Sequence, residues 1–390
     1  MVELSIKEVN DIEAFQSLKE RWNMLLQQCP DNNVFLTWEW LFTWWRHYGQ
    51  DKKLRIFLIK ESDRVIAIAP FMEWKYRKGI FNIDVIENLC AIECDYSGII
   101  LTERRQESVA LLLDCLKKIT RDSHVVVRMS HIPENSLFLA GLREQYPAFS
   151  SSLLLIEQPV SSCPYIDLPA NWEEYFHALS RNDRGNLRRS MRSLQKEHAV
   201  EVKKYAGGDD LREQLQVLFE LHQKRWQERN VISKFARPEA RDFYLDVSRV
   251  FHQNNWLDLT FLNAGGKPVS AFWGFNYNDT FWNMTQTFDP DYSKYGVGQL
   301  HIMKLIEDAI KNGQRKFDFL KGDEAYKSRW TSSATNNFQI TMAKSGFWGR
   351  YRVKLLRILI KYDNFRARNF RDNLGMFLKK MRQKKGATSD

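Results

Sequence analysis

The feature that most restricts how this chain can fold is an internal repeat. Residues 54–60, a turn at 61–64 and residues 65–74 read as strand, turn, strand, and the pattern returns at 257–263, 264–267 and 268–276 with a constant offset of 203. Leu54/Leu257, Ile56/Leu259, Leu58/Phe261, Ile59/Leu262 and Ile66/Val269 keep the same face apolar in both copies. A slip of one residue would turn that face to water, so the match speaks to register as well as to strand type. The downstream segments agree in order: strand-like 84–89 and 97–101, helix 106–119 and apolar run 125–129 correspond to strand 280–288, helix 299–311 and strand 316–320. Two copies of one α/β unit, each a meander followed by strand, helix, strand, predict an α/β fold with mixed sheets and helices on their faces. Helical patterns at 11–28, 37–48, 136–145, 172–179, 185–197, 209–228 and 238–254 supply the remainder. The expected organisation is an N-terminal unit at 1–165, a second at 166–345 and a tail at 346–390.

Charge separates the tail from the rest. The net charge is +10, and from Gly346 onward 13 Lys and Arg face only Asp363, Asp372 and Asp390, so the first 345 residues are neutral. A neutral body with a basic tail points to a docking segment, and no specific nucleic-acid partner is expected. In the tail, Arg350, Lys354, Arg357, Lys361, Arg368 and Arg371 share one helical face while Trp348, Tyr351, Leu355, Leu359 and Tyr362 recur on the other. Such a basic amphipathic helix either packs its apolar side on the protein body or lays it in an anionic membrane interface. Met1 to Phe15 carries Glu3, Glu8, Asp11 and Glu13 where an export signal needs a basic start and an apolar run. No stretch approaches the ~18 apolar residues of a membrane span. The expected location is the cytoplasm, with the inner membrane face as a peripheral alternative. The five cysteines read as reduced core thiols, and neither they nor the eight histidines show metal-site spacing, so no metal is expected.

Three segments carry candidate chemistry. In the loop Asp289 to Gly298, glycines let backbone amides approach an anion, and the helix just after it adds partial positive charge at its start. Tyr295, Gly296, Val297, Gly298 and Gln299 are therefore the candidate diphosphate cradle. Immediately after the next strand, Asp318, Asp323, Glu324, Tyr326 and Lys327 crowd the mouth of the sheet, where open α/β folds gather their sites. A carboxylate against an apolar wall there can accept the proton of an attacking amine. On the helix 209–228, His222 shares a face with Arg225 and Trp226. A further basic helix with Arg181, Arg184, Arg188, Arg189, Arg192 and Lys196 either binds a phosphorylated acceptor or is a solvated linker.

Leu221-His222-x-x-Arg225-Trp226, the loop Tyr292 to Gly298 and the run from Phe317 to Trp330 together resemble the CelD/BcsL-type acetyltransferases. These are similar in turn to the FemAB-like transferases, which have tandem GNAT folds; the resemblance covers roughly residues 1 to 345. It implies acyl transfer from acetyl-CoA or another acyl-CoA to an amine, or less readily a hydroxyl, of a cell-envelope polysaccharide or glycolipid precursor. The acceptor would be a small molecule or a lipid-linked sugar. The FemAB branch implies aminoacyl-tRNA as donor instead, and a third reading is a catalytically silent scaffold of polysaccharide synthesis. On this resemblance Glu324 or Asp323 deprotonates the acceptor, and Tyr326 or Lys327 positions substrate or assists the leaving thiolate. A backbone amide near Thr285 to Thr287 stabilises the oxyanion, with His222 as a candidate relay. Arg225, Trp226, Asp318, Arg184 and Arg188 fall on the substrate side. The ordinary GNAT loop has Arg or Gln three residues before its first glycine, and this chain has Ser293. The counterpart in the first unit, Asp95-Tyr96-Ser97-Gly98, lacks the second glycine, which places the expected chemistry in the second unit.

Overall fold

The computed structural model describes residues 3–78, 81–90, 93–122 and 125–363. The chain divides into two compact units. Unit 1 comprises Met1–Cys163, Lys321–Asp323 and Ala334–Leu359, and unit 2 comprises Pro164–Leu320, Glu324–Ser333 and Ile360–Asp390.

Unit 1 opens with β1 (Leu4–Val9), α1 (Ile12–Ser17), α2 (Lys19–Gln27) and α3 (Trp38–Tyr48). Asp11 caps α1 by accepting from the Ala14 amide and Thr37 caps α3 by accepting from Trp40, which satisfies donors that a helix start leaves unpaired. The sheet continues through β2 (Lys53–Glu61), β3 (Arg64–Lys78), β4 (Phe81–Asn88) and the short β5 (Ile100–Leu101). After α4 (Arg105–Asp122) come β6 (Val125–Pro133) and α5 (Leu137–Gln145). β1 to β4 pair antiparallel in order, and β4 then runs parallel to β6 across the α4 crossover. The chain leaves unit 1 inside β7 (Leu153–Asp167), between Cys163 and Pro164.

Unit 2 repeats the plan with α6 (Trp172–Ala178) and α7 (Arg181–Glu197) added in front. Its order is β8 (Val200–Lys204), α8 (Leu211–Glu228), α9 (Pro238–Gln253), β9 (Leu257–Ala264), β10 (Lys267–Tyr277), β11 (Thr280–Phe288), α10 (Val297–Lys311) and β12 (Lys316–Asp318). β8 to β11 pair antiparallel in order, and β11 runs parallel to β12, which pairs in turn with Tyr165–Asp167 of β7. The offset of 203 holds to the rung: Glu61↔Arg64 and Ala264↔Lys267 close the two hairpins. Each pairing then skips one residue of its second strand, Ile66 in unit 1 and Val269 in unit 2, so even the β-bulge repeats. Each unit has its own apolar core, one centred on Ile59, Phe71, Val127 and Leu113, the other on Leu262, Phe272, Phe317 and Ile306.

Three readings change. Residues 166–345 do not stay in one unit, because β13 (Ala334–Lys344) returns to unit 1 and pairs antiparallel with β6. Cys90 and Cys94 are not reduced thiols. The chain turns sharply there, with φ of 71° at Cys90 and 65° at Glu93, which brings the two Cα atoms to 6.0 Å, and the sulfurs are joined as a disulfide. The tail is helical over 347–363, but the stripe it buries is Val353, Leu356 and Leu359, while Trp348, Tyr351 and Tyr362 are exposed. Arg368 and Arg371 lie outside the described residues. Among the described residues no helix is long and apolar enough to cross a membrane, and no group of His, Cys, Asp and Glu is arranged to hold a metal ion.

Candidate active site

In unit 2 the parallel pair is zipped for three rungs only. Thr280, Phe281 and Trp282 of β11 pair with Lys316, Phe317 and Asp318, after which β12 ends and the remaining residues of β11, Asn283–Phe288, have β10 on one side alone. Asp318 helps end β12. Its fully buried carboxylate accepts from the Leu320 amide at 2.8 Å and pairs with Lys316 at 3.2 Å, fixing a turn in which Leu320 sits at φ 59°. That gives Asp318 a structural duty rather than a contact with substrate.

Side chains alternate along the freed part of β11. Thr285 meets the Tyr244 hydroxyl of α9 at 3.2 Å, whereas Gln286 donates to the Gly298 carbonyl of α10 at 2.7 Å. The backbone at Gln286 faces the open edge, because its carbonyl accepts from Arg225 Nη1 at 3.2 Å. In a strand, a residue's N–H and C=O point to the same side, so the Gln286 amide also looks out along that edge. Within the expected range Thr285 to Thr287, Gln286 is therefore the residue whose amide is aimed at a ligand.

Arg225 comes from α8, and its guanidinium lies 4.1 Å from the centre of the Phe288 ring. Burial, reinforced by the charge of Arg229, lowers its pKa to about 10, and its Nε is buried without a partner. Phe288 in turn packs on Gly298: a Cβ there would stand 2.9 Å from the ring's Cδ1. Gly298 thus serves close helix–strand packing.

Gly296 is different. It adopts φ 64°, a conformation natural to glycine, and it starts α10 without any side chain capping the helix. The first-turn amides of α10, at Val297 and Gly298, remain available to an anion, as at other phosphate-binding helix starts. Gln299 Oε1 beside them is buried without a donor. Tyr295 is buried and spends its hydroxyl on Glu197 of α7 at 2.5 Å, so it fixes the loop rather than a ligand. Lys224 pins the same loop from α8 by reaching Asp289 at 2.5 Å and Asp291 at 2.6 Å.

After β12, Lys327 is 3 % exposed and donates to the Leu320 carbonyl at 3.2 Å while holding Glu324 at 2.9 Å. The carboxylate of Glu324 is 58 % exposed, so the apolar wall expected around it is absent and an ammonium takes its place. Asp323 is exposed. Tyr326 is packed against the core of unit 2; burial, then the negative charge of Glu324, raise its pKa against the opposing pull of Arg225. It stays a protonated phenol at every physiological pH. His222 is buried, bonded to Ser233 Oγ at 2.8 Å and stacked on Trp226. Burial, then Lys234 and Arg225, depress its pKa to about 3, leaving a neutral packing group.

On α7, Arg184 closes the end of α6 by donating to the carbonyls of His177 and Leu179, both at 2.5 Å. Arg188 extends over the Phe176 ring at 5.1 Å. Sequence reasoning did not single out Gln286 or Phe288. Both sit in an ordinary strand pattern, and only the early end of β12 makes them distinctive.

An α/β unit whose parallel strands part beside the start of the intervening helix, with polar groups gathered at their carboxyl ends, has the arrangement in which open α/β sheets place a ligand site. Residues 181–328 match the family model described as the acetyltransferase (GNAT) domain, and this part of the chain is a GNAT-type acyltransferase domain. The fold is shared with FemX, at 10% identity and a TM-score of 0.59 over 82% of this chain and 95% of that one. It is shared too with L-PGS from Bacillus licheniformis (11% identity, TM-score 0.51, 87% and 96% covered). The C-terminal domain of a putative lysylphosphatidylglycerol synthetase from Agrobacterium fabrum is similar as well (12%, 0.52, 89% and 96%). No curated protein matches the chain.

Proposed function

We infer that unit 2 moves an acyl group from an acyl-CoA, acetyl-CoA being the simplest, onto an amine of a phosphorylated or lipid-linked sugar of the cell envelope. The observation that carries this reading is the unpaired edge of β11 beyond Trp282, next to the uncapped start of α10. The α10 amides suit a diphosphate, and the Gln286 amide suits the carbonyl of an extended thioester arm lying where a strand would otherwise pair. Arg225 Nε and Gln299 Oε1, buried without partners, are groups that such a ligand would satisfy.

When bound, the thioester supplies an activated acyl group with a thiolate as its leaving group. Glu324, oriented by Lys327, takes the proton from the acceptor amine as the C–N bond forms. Tyr326, held protonated, donates to the sulfur as the C–S bond breaks, and solvent restores both groups. The acceptor is assigned to a groove of about 350 Å³ whose lining combines the apolar Trp172, Phe176, Leu187 and Met191 with Arg188, Arg192 and the Lys304–Glu307 ion pair. That pairing of surfaces suits an amphipathic phosphorylated acceptor.

The test is thermal stabilisation of the purified chain by acetyl-CoA and longer acyl-CoAs, followed by thiol release in the presence of amino-sugar phosphates. Stabilisation and acceptor-dependent thiol release are expected. Turnover of charged tRNA without any response to acyl-CoA would replace this donor with an aminoacyl one. A folded chain that responds to neither is a scaffold.

A further inference from the structure

The C-terminal helix 347–363 carries two apolar stripes, and the protein covers only one. Val353, Leu356 and Leu359 are buried. Trp348, Tyr351, Ile358 and Tyr362, spaced three, seven and four residues apart with half-buried Leu355 between, form a second line rotated by about a third of a turn from the first. Phe347 and Trp348 are 74 % and 66 % exposed. With Tyr351, Ile358 and Tyr362 they make five of the eight large apolar side chains that stand exposed among the described residues. The rings of Phe347, Trp348 and Tyr351 touch edge to face, with centroids 5.5 Å and 6.1 Å apart, so this is one contiguous aromatic surface.

Its flank is cationic. Arg350, Lys354 and Lys361 are exposed on the sector beside the stripe, and from Gly346 to Tyr362 the chain has five basic residues, Arg350 included, and no carboxylate. The remaining sequence adds Arg366, Arg368, Arg371, Lys379, Lys380, Arg382, Lys384 and Lys385 against Asp363, Asp372 and Asp390.

We propose that this face docks the protein on an anionic phospholipid surface, with Phe347, Trp348, Tyr351 and Ile358 in the headgroup–acyl boundary and the basic sector on lipid phosphates. Trp and Tyr have an apolar body and a polar tip, which suits that boundary, and the cations add attraction that only acidic lipids supply. A second copy of the chain is a poorer occupant, because two-fold pairing of this helix would set its uncompensated cations against their own copies. The proposal is independent of which donor the reaction uses, since lipid binding is read without turnover.

The experiment is flotation of the full chain with vesicles of phosphatidylcholine alone and of phosphatidylcholine mixed with phosphatidylglycerol. Binding is expected only to the mixed vesicles and should weaken with salt. The triple variant Trp348→Ser, Tyr351→Ser, Ile358→Ser replaces exposed side chains, so it should keep its melting temperature while losing about tenfold or more in vesicle affinity. Arg350→Ser with Lys354→Ser should lose about fivefold per residue on the same vesicles. Failure of the wild type to bind the mixed vesicles would overturn the proposal. So would a triple variant that still binds them fully, or one whose only change is loss of a dimer in sedimentation.

Discussion

In unit 1, β4 and β6 stay paired from Asp84↔Val125 to Glu87↔Arg128, and the next residue, Asn88, still holds the Ser130 amide with its side chain at 2.9 Å. The loop after β4 is sewn to the same strand, Ser97 donating its amide to the His131 carbonyl at 2.9 Å and its hydroxyl to Ser130. Lys321 then closes on Asp95 at 3.0 Å. In unit 2 the equivalent pairing stops at Trp282↔Asp318, and the loop ends at a helix start with its amides free of any side-chain cap. Strand order and bulge are the same, so the fold itself does not decide whether a unit has a site. The units differ in the closed rungs of the parallel pair, four against three, and in the side-chain and loop bonds that seal the edge beyond them in unit 1; each such bond uses backbone donors and acceptors that a ligand would need.

The sharpest way to break this contrast is to remove the matching carboxylates. Glu324→Gln should lower turnover by about a hundredfold or more, well beyond what its lower melting temperature explains. Some loss of stability is expected because the buried Lys327 ammonium loses its counter-charge, although the glutamine amide still offers it an acceptor. Glu134, just past β6 in unit 1, accepts from the Asn336 amide at 3.0 Å and from its side chain at 3.2 Å. Glu134→Gln should leave turnover unchanged. Equal losses in both variants would mean that the open edge of unit 2 is not where the chemistry occurs.

Acidification tests the two units through buried histidines. Burial holds His222 and His301 in unit 2, and His131 in unit 1, at pKa values of about 3. Between pH 6.5 and 3 the unfolded chain takes up protons that these folded groups refuse, so stability is present above pH 6.5 and lost as the pH falls. The loss is about 2 kcal/mol per histidine at pH 5. In melts from pH 7 to pH 5, the pair His222→Gln and His301→Gln should flatten the dependence twice as much as His131→Asn, the asparagine being chosen because residue 131 sits at φ 60°. Equal flattening would show that one of the unit 2 histidines does become charged in the folded state.

Much of the fold was legible because the two strand pairs announce themselves in the same phase. The offset of 203 carried through Leu54/Leu257 and Ile66/Val269 to the bulge itself. The return of β13 was not legible, since Ala334–Lys344 has the pattern of a strand but nothing in it names the sheet it joins. At the candidate site, Gly296, Arg225, Glu324 and Tyr326 are the residues that motif spacing names. The packing reason for Gly298 could not, nor the pairing of Lys327 with Glu324, because both depend on which side chains meet once the chain has folded. Cys90 and Cys94 were misread for a similar reason: their spacing of four suggests nothing until two residues with positive φ bring them together.

A smaller loss should follow from Arg225→Met. It removes a donor to the Gln286 carbonyl and a cation from the Phe288 ring, and should raise the KM for the acyl donor about tenfold with a smaller change in kcat. If kcat falls instead and KM holds, Arg225 acts on the transition state and not on the donor's placement.

The finest distinction between the units lies in their glycines. A methyl at residue 98 would meet only Leu36 Cδ1 at 3.6 Å, an ordinary contact, so Gly98→Ala should stay within about 0.5 kcal/mol of the wild type in stability and leave turnover alone. At residue 298 the same methyl arrives 2.9 Å from Phe288 Cδ1 and 3.3 Å from Cε1, on a ring that already bears the Arg225 guanidinium. Alanine improves a helix over glycine by about 1 kcal/mol, so the clash and the propensity nearly cancel in a melt. The shift imposed on Phe288 passes directly to Arg225, and turnover should fall severalfold even though stability does not. A Gly298→Ala variant with wild-type turnover would show that the ring can tilt without disturbing the open edge, and would detach Phe288 from the site.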